Sequence, residues 1–273
     1  MIFSPQVHIV FNCQEKGRIT EPLLENSPHK IYYFTAYIKK TKQKDKYLEY
    51  MEENIQTIQT RIPAITIVRK TVDYVDYIEI IQQISKIVKD ERAENSNATI
   101  YINISSGSKI TAIASIEAAK IWGLEHYYVY SDKYNQYDEG PVHTGKFYIE
   151  RPVTFPTQRP RKDHIQTLKL IESMIQRKYE NKILPKSELN GESKFIYFKN
   201  LIEKLEFEGI IGLESNNKDS KKRKSALYMK AKDFLDPLEK ELHYITISKD
   251  KRNRKVRLTH EGENLIKIFR YLD

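Results

Sequence analysis

The chain has 273 residues, 40% of them hydrophobic and 30% charged, which is enough for two domains that each bury a core. Its net charge is +9, no apolar run approaches the roughly 20 residues of a membrane span, and Met1–Pro5 lacks the basic-then-apolar pattern of a secretion signal. The single cysteine, Cys13, excludes an internal disulfide and a cysteine-rich zinc site, and the expected location is the cytoplasm.

The first 150 residues alternate in type. Val7–Phe11 and Ile31–Tyr37 have strand composition, with Asn12–Thr20 between them reading as a polar loop. Tyr47, Met51, Ile55 and Ile58 fall at helical spacing and predict a helix between Lys42 and Ile58. Ile65–Val68 is the next strand, followed by a helix with Val75, Ile78, Ile81, Ile84 and Val88 on one face. Tyr101–Ser105 is a strand that runs through Ser106-Gly107-Ser108 into a helix with Ile110, Ala114, Ala118 and Ile121. Gly123 stops that helix, His126–Tyr130 follows as a strand, and Gly145–Ile149 is a late edge strand. Alternating strands and helices predict an α/β fold, a Rossmann-like, mostly parallel sheet covered on both faces.

Glu150–Asp163 holds three prolines and no periodicity, so it reads as a linker. The expected domains are 1–150, a linker over 151–162, and 163–273. Beyond the linker, Ile165, Leu168, Ile171 and Ile175 mark one helix, Phe195–Phe207 contains a second, and Ser225–Leu242 forms a third. Tyr244–Ser248 and Lys255–Leu258 are short strands around a polar tip, and a last helix runs from about Glu261 to Tyr271. Helices, a basic hairpin and a closing helix predict a winged helix-turn-helix.

Charge separates the two parts. Residues 161–273 carry 26 Lys/Arg against 18 Asp/Glu, whereas residues 1–160 carry 20 against 19. A polyanion partner is therefore expected for the C-terminal part, in preference to a merely solvated lysine-rich surface. Candidate DNA contacts are Lys221, Lys222, Arg223, Lys224 and Ser225 at a helix start, and Lys249, Lys251, Arg252, Arg254 and Lys255 at the hairpin. The stretch "PLEKELHYITISKDKRNRKVRLTHEGENL" resembles winged-helix transcriptional regulators. A competing assignment ends the recognition helix at Leu201–Ile211 and makes Asn216–Ser225 the wing. Leu258-Thr259 and Gly262 match the regulators only at the later hairpin.

The turn "SSGSKITAIAS" raises a sharper question. A helix N-terminus exposes unpaired N–H groups, so a turn of Ser105, Ser106, Gly107, Ser108 and Lys109 suits phosphate. It equally suits plain capping, and it is neither a Walker loop nor a Gly-x-Gly-x-x-Gly fingerprint. The turn and the polar loop after the first strand belong at one edge of the sheet. Together with a basic winged helix they resemble the CARF (CRISPR-associated Rossmann fold) proteins, in particular archaeal CARF–winged-helix transcriptional regulators. The resemblance implies a homodimer that senses a cyclic oligoadenylate, cyclic tetra-adenylate or a related ring, and binds double-stranded DNA in type III CRISPR immunity. It implies that Ser105 to Lys109 hold phosphates, while Asn12, Gln14 and Arg18, beside Gly17, meet adenine or ribose.

No catalytic residue, metal or cofactor is expected. Three alternatives stay open: slow ring-nuclease activity through Lys109, a ribonuclease effector marked by Arg159 and His164, and a regulator answering another phosphorylated small molecule.

Overall fold

The computed structural model describes residues 4–135, 142–153, 159–180, 194–213, 220–250 and 253–271. The chain divides into two compact units at Gln158 and Arg159.

In the first unit, β1 (Gln6–Phe11), α1 (Lys16–Asn26), β2 (Lys30–Ile38), β3 (Gln43–Lys44), α2 (Leu48–Arg61), β4 (Thr66–Val72), α3 (Tyr77–Glu94), β5 (Thr99–Asn103), α4 (Lys109–Trp122), β6 (Glu125–Tyr134) and β7 (His143–Glu150) follow in order. Strands β4, β2, β1, β5 and β6 are parallel neighbours, β7 is antiparallel on β6, and β3 folds back on the end of β2. Val7, Ile9, Val10 and Phe11 are all buried, as a strand covered on both faces requires. The chain leaves β1 toward β2 but returns through α3 to β5 on the other side. That reversal opens a crevice at the carboxyl ends of β1 and β5.

Two sequence expectations change here. The loop after β1 is only Asn12–Glu15, because α1 begins at Lys16; Gly17 and Arg18 are helical. Pro22 sits inside α1 and has no N–H to give the Arg18 carbonyl. The Asn103 side-chain amide supplies the missing donor at 2.8 Å. The helix expected from Lys42 starts at Leu48 instead, after a hairpin. Tyr47, the first residue of the apolar spacing, is its N-cap.

Helices α1 and α2 pack on each other, as do α3 and α4. Ile19 and Leu23 of α1 join Val10, Ile31 and Tyr33 of the sheet and Met51, Ile55 and Ile58 of α2 in one core. The Trp122 indole donates to Ser85 Oγ at 2.8 Å, tying α4 to α3. Gly123 caps α4 in the left-handed region (φ 62°).

The second unit contains α5 (Lys162–Glu180), β8 (Ile196–Tyr197), α6 (Phe198–Phe207), α7 (Ser220–Lys240), β9 (Ile245–Ile247), β10 (Lys255–Leu258) and α8 (His260–Ile268). Strand β10 lies antiparallel between β8 and β9. This is the helix and strand order of a winged helix, with α7 in the recognition position and β9–β10 in the wing position; of the earlier candidate wing, Ser220–Ser225 are helical and 216–219 lie outside the described residues. The Leu-Thr-x-x-Gly pattern has a physical basis. Thr259 accepts the Gly262 N–H at 3.1 Å, and a Cβ at Gly262 would lie 2.2 Å from the Tyr244 carbonyl oxygen.

One buried group makes the sheet acid-sensitive. His8 is 1% exposed, and its Nδ1 shares a 3.1 Å hydrogen bond with the Tyr127 hydroxyl. Burial, and secondly the Arg151 charge, pushes its pKa down to about 3. The unfolded chain therefore takes up a proton below about 6.5 that the folded chain refuses. The unfolding free energy should fall as pH drops from about 6.5 toward 3. Urea titrations over that range should give a steeper loss for the native chain than for His8→Phe; equal slopes would exclude His8 as a source.

Candidate functional site

The crevice holds a cavity of about 210 Å³ lined by Asn12 and Cys13 of the β1 loop, Gln43 to Tyr47 of the hairpin, Tyr74, and Gly107 and Ser108 of the turn before α4. The two stretches singled out from sequence thus share one cavity, but not every expected residue faces it with free groups.

The turn is locked by its own hydroxyls. Asn103 Oδ1 accepts the Ser105 N–H at 2.9 Å and hydroxyl at 2.5 Å, and Ser105 Oγ accepts the Val129 N–H at 2.9 Å. Ser106 is 3% exposed and accepts the Phe11 N–H at 3.4 Å. Ser108 donates to the Tyr74 carbonyl at 2.8 Å and forms a reciprocal capping box with Thr111. Gly107 has φ 86°, and a Cβ there would lie 2.5 Å from Thr111 Oγ1 and 2.8 Å from Phe11 Cβ. The hydroxyl protons of Ser105 and Ser108 are therefore spent within the protein. Lys109 is exposed and pairs with no described residue, and the N–H groups of Lys109 and Ile110 at the start of α4 have no partner among the described residues.

The β1 loop is likewise committed. Asn12 donates to Asp45 Oδ2 at 3.0 Å and the Tyr47 carbonyl at 2.8 Å, and accepts from the Tyr33 hydroxyl at 3.2 Å. Gln14 accepts the Tyr47 hydroxyl at 2.9 Å. Gly17 packs under Phe147, whose ring would lie 2.4 Å from a Cβ. Arg18 is buried; its Nε donates to the Val129 carbonyl at 2.8 Å, and Nη2 has no partner among the described residues. Its guanidinium stands 4.9 Å from the Tyr128 ring. Burial pushes the Cys13 thiol up, against the N–H groups of Gly107 and Glu15, which favour the thiolate.

Sequence reasoning missed two features. The first is the hairpin Lys39–Lys46 over the cavity, whose second half falls inside the helix expected from Lys42. The second is aromatic: Tyr127 is core, whereas Tyr128, Tyr130 and Tyr148 are 39%, 44% and 38% exposed. The rings of Tyr130 and Tyr148 stack at 5.3 Å.

In the winged helix, Lys222, Lys224 and Ser225 are exposed on the first turns of α7. Arg223 is braced by Glu206 at 2.7 Å. Lys249 is exposed at the wing, and Arg254 lines a cavity of about 380 Å³ with Lys224, Tyr228 and residues of α6. Lys255 departs from the expected tip: its ammonium lies 4.4 Å from the Phe195 ring. Lys251, Arg252 and the side chain of Lys221 lie outside the described residues. His164 is 6% exposed and packs edge-on to Phe234 at 5.7 Å. Among the described residues there is no cluster that could hold a metal and no helix long and apolar enough to cross a membrane.

The local chemistry separates capping from ligand binding. Ser108→Ala should lower the unfolding free energy by about 1 kcal/mol through loss of the cap, and Lys109→Ala should leave it unchanged. Chemical denaturation checks both; a Lys109→Ala variant as unstable as Ser108→Ala would make Lys109 a structural residue.

A family model described as "HFX_2341_N:-like, N-terminal" matches residues 6–134, and one described as "DUF6293 C-terminal winged helix domain" matches residues 183–270. No curated protein matches the chain. Among solved structures, Csm6 of Enterococcus italicus, bound to cyclic hexa-2'-fluoro-hexa-dAMP, is 12% identical, with 89% of this chain and 57% of that chain covered and a TM-score of 0.43. Can2 from Sulfobacillus thermosulfidooxidans, in complex with cyclic tetra-adenylate, is 13% identical over 97% and 64% of the two chains, with a TM-score of 0.36. Protein VC1899 from Vibrio cholerae is 12% identical over 98% and 65%, with a TM-score of 0.37. The chain thus spans between 57% and 65% of the length of these three structures. A Rossmann-like domain of the first matched kind followed by a DUF6293 winged helix domain fits the CARF–winged helix architecture that the sequence resembles.

Proposed function

We propose that this protein is a cyclic oligoadenylate sensor that binds duplex DNA through its winged helix and regulates transcription in type III CRISPR immunity. The observation that carries the reading is the crevice cavity between the β1 loop and Gly107–Ser108, with N–H groups at the start of α4 that have no partner among the described residues. A helix N-terminus and a free ammonium suit a phosphodiester. A homodimer would offer two such turns to one symmetric ring. Val75 and Ile113, 57% and 52% exposed, flank the turn and support coverage of this edge by a second copy.

Calorimetry on the full chain tests the sensor. It should bind cyclic tetra- or hexa-adenylate at one ring per two chains and bind linear oligoadenylate more weakly. Lys109→Ala should weaken ring binding by about 1.5–3 kcal/mol, the value of a hydrogen bond to a charged group. No binding of either ring would overturn the sensor reading.

The DNA arm rests on the exposed cations of α7 and the wing. Lys249→Ala and Arg254→Ala should each weaken binding to all duplexes alike and flatten the salt dependence by about 0.9 of log–log slope per phosphate no longer neutralised. Lys224→Ala and Ser225→Ala, on the first turns of the helix in the recognition position, should change preference at individual base pairs. Fluorescence anisotropy across a salt series checks this with the native upstream duplex and a scrambled one. A native chain without salt-dependent affinity for either has no regulatory DNA contact.

A further inference from the structure

Lys39, Lys40, Lys42, Lys44 and Lys46 fall within eight residues. The chain returns from β2 to β3 through a turn in which the Lys42 N–H donates to the Lys39 carbonyl at 3.3 Å, with Lys42 at φ 54°. Such a turn crowds like charges, which repel each other. Lys39 is answered by Glu79 at 2.6 Å. Lys40, Lys42 and Lys44 are exposed and meet no partner among the described residues, and Lys46 lies 4.7 Å from the Tyr47 ring.

The one carboxylate of the stretch does not neutralise them. Asp45 is 9% exposed and turned inward, accepting from Asn12 at 3.0 Å, the Ala36 N–H at 3.0 Å and the Tyr47 N–H at 2.8 Å. Its lone pairs hold the hairpin in place, and none of these bonds goes to a lysine ammonium. Nearby Glu53 is taken by Lys16. Lys44 and Lys46 line the same cavity as Cys13, Gly107 and Ser108.

We propose that Lys44 and Lys46, with Lys40 and Lys42 at the turn, form a cationic clamp that takes phosphates of the ligand opposite the turn before α4. The clamp explains why the serines of that turn need not do so. It rests on the cyclic oligoadenylate reading for the identity of the polyanion, but its chemistry is that of any closely spaced phosphates.

The test uses the full chain, two probes (cyclic tetra-adenylate and inorganic tripolyphosphate) and the double variant Lys44→Ala/Lys46→Ala, with binding measured across a salt series. Affinity for both probes should fall at least tenfold. The log–log salt slope should become shallower by about 0.7 for each phosphate no longer neutralised, the single-strand value. Unfolding of the ligand-free variant should be unchanged, and Lys86→Ala, an exposed lysine of α3 outside the cavity, should bind as the native chain does. Ring binding undiminished in the double variant would overturn the clamp and keep the sensor reading. Lysine-dependent tripolyphosphate binding without ring binding would keep the clamp and overturn cyclic tetra-adenylate as its ligand. A native chain that binds neither probe would overturn the clamp.

Discussion

The buried side-chain amide of Asn103 is the constraint on which the crevice depends. It is 0% exposed at the end of β5, and both of its ends are occupied. Its N–H reaches the Arg18 carbonyl that Pro22 leaves without a donor, and its oxygen accepts the backbone and hydroxyl of Ser105. One residue therefore ties the first turn of α1, which follows the β1 loop, to the turn before α4 that lines the candidate site. A buried carbonyl left unpaired would cost about 1–3 kcal/mol. The proline that looks like a helix breaker is thus tolerated because the strand end supplies what it lacks.

Hydroxyl and amide groups make the crevice rigid, and lysines supply its charge. The hydroxyls of Ser105 and Ser108 donate within the protein, and Asn12 and Asp45 are hydrogen-bonded there too. Lysine ammoniums on flexible stems can meet phosphates without a fixed geometry, each as a compact point charge. Pre-set backbone donors at α4 then provide direction, because a helix N-terminus does not reorganise on binding.

Most of the fold was legible because its signals are periodic. Helices α2 to α5 were marked by recurring apolar residues, and the strands by β-branched and aromatic runs. Helix α1 was not, because "KGRITEP" joins Gly17, a polar face and Pro22, each a loop signal when no tertiary donor is visible. The hairpin at Lys39–Lys46 was absorbed into α2 because Tyr47, Met51 and Ile55 share helical spacing while Tyr47 caps rather than continues the helix. In the site, residue type pointed to a turn that lines the cavity, but it could not distinguish a serine facing outward from one facing its own backbone. Tyr127 and Tyr128 illustrate the same limit: one-residue alternation puts the first in the core and the second at the surface, and only the sheet's cover decides which.

On the proposed reading the two domains carry different electrostatic tasks. The N-terminal part is close to neutral overall, so its cations matter only where they concentrate, at the crevice. The C-terminal part holds an excess of eight positive charges over 161–273 and attracts DNA wherever salt permits. A ring at the crevice neutralises charge in the part that contributes little to that field. Ligand control of DNA binding must therefore come from a difference in conformation or association between ring-bound and ring-free states, rather than from a change in net attraction. Such coupling is reciprocal: whatever factor the ring applies to operator affinity, the operator applies to ring affinity, typically 5–150-fold or about 1–3 kcal/mol. A regulator of this kind reads both ligands through one equilibrium, and the crevice and the winged helix are its two ends.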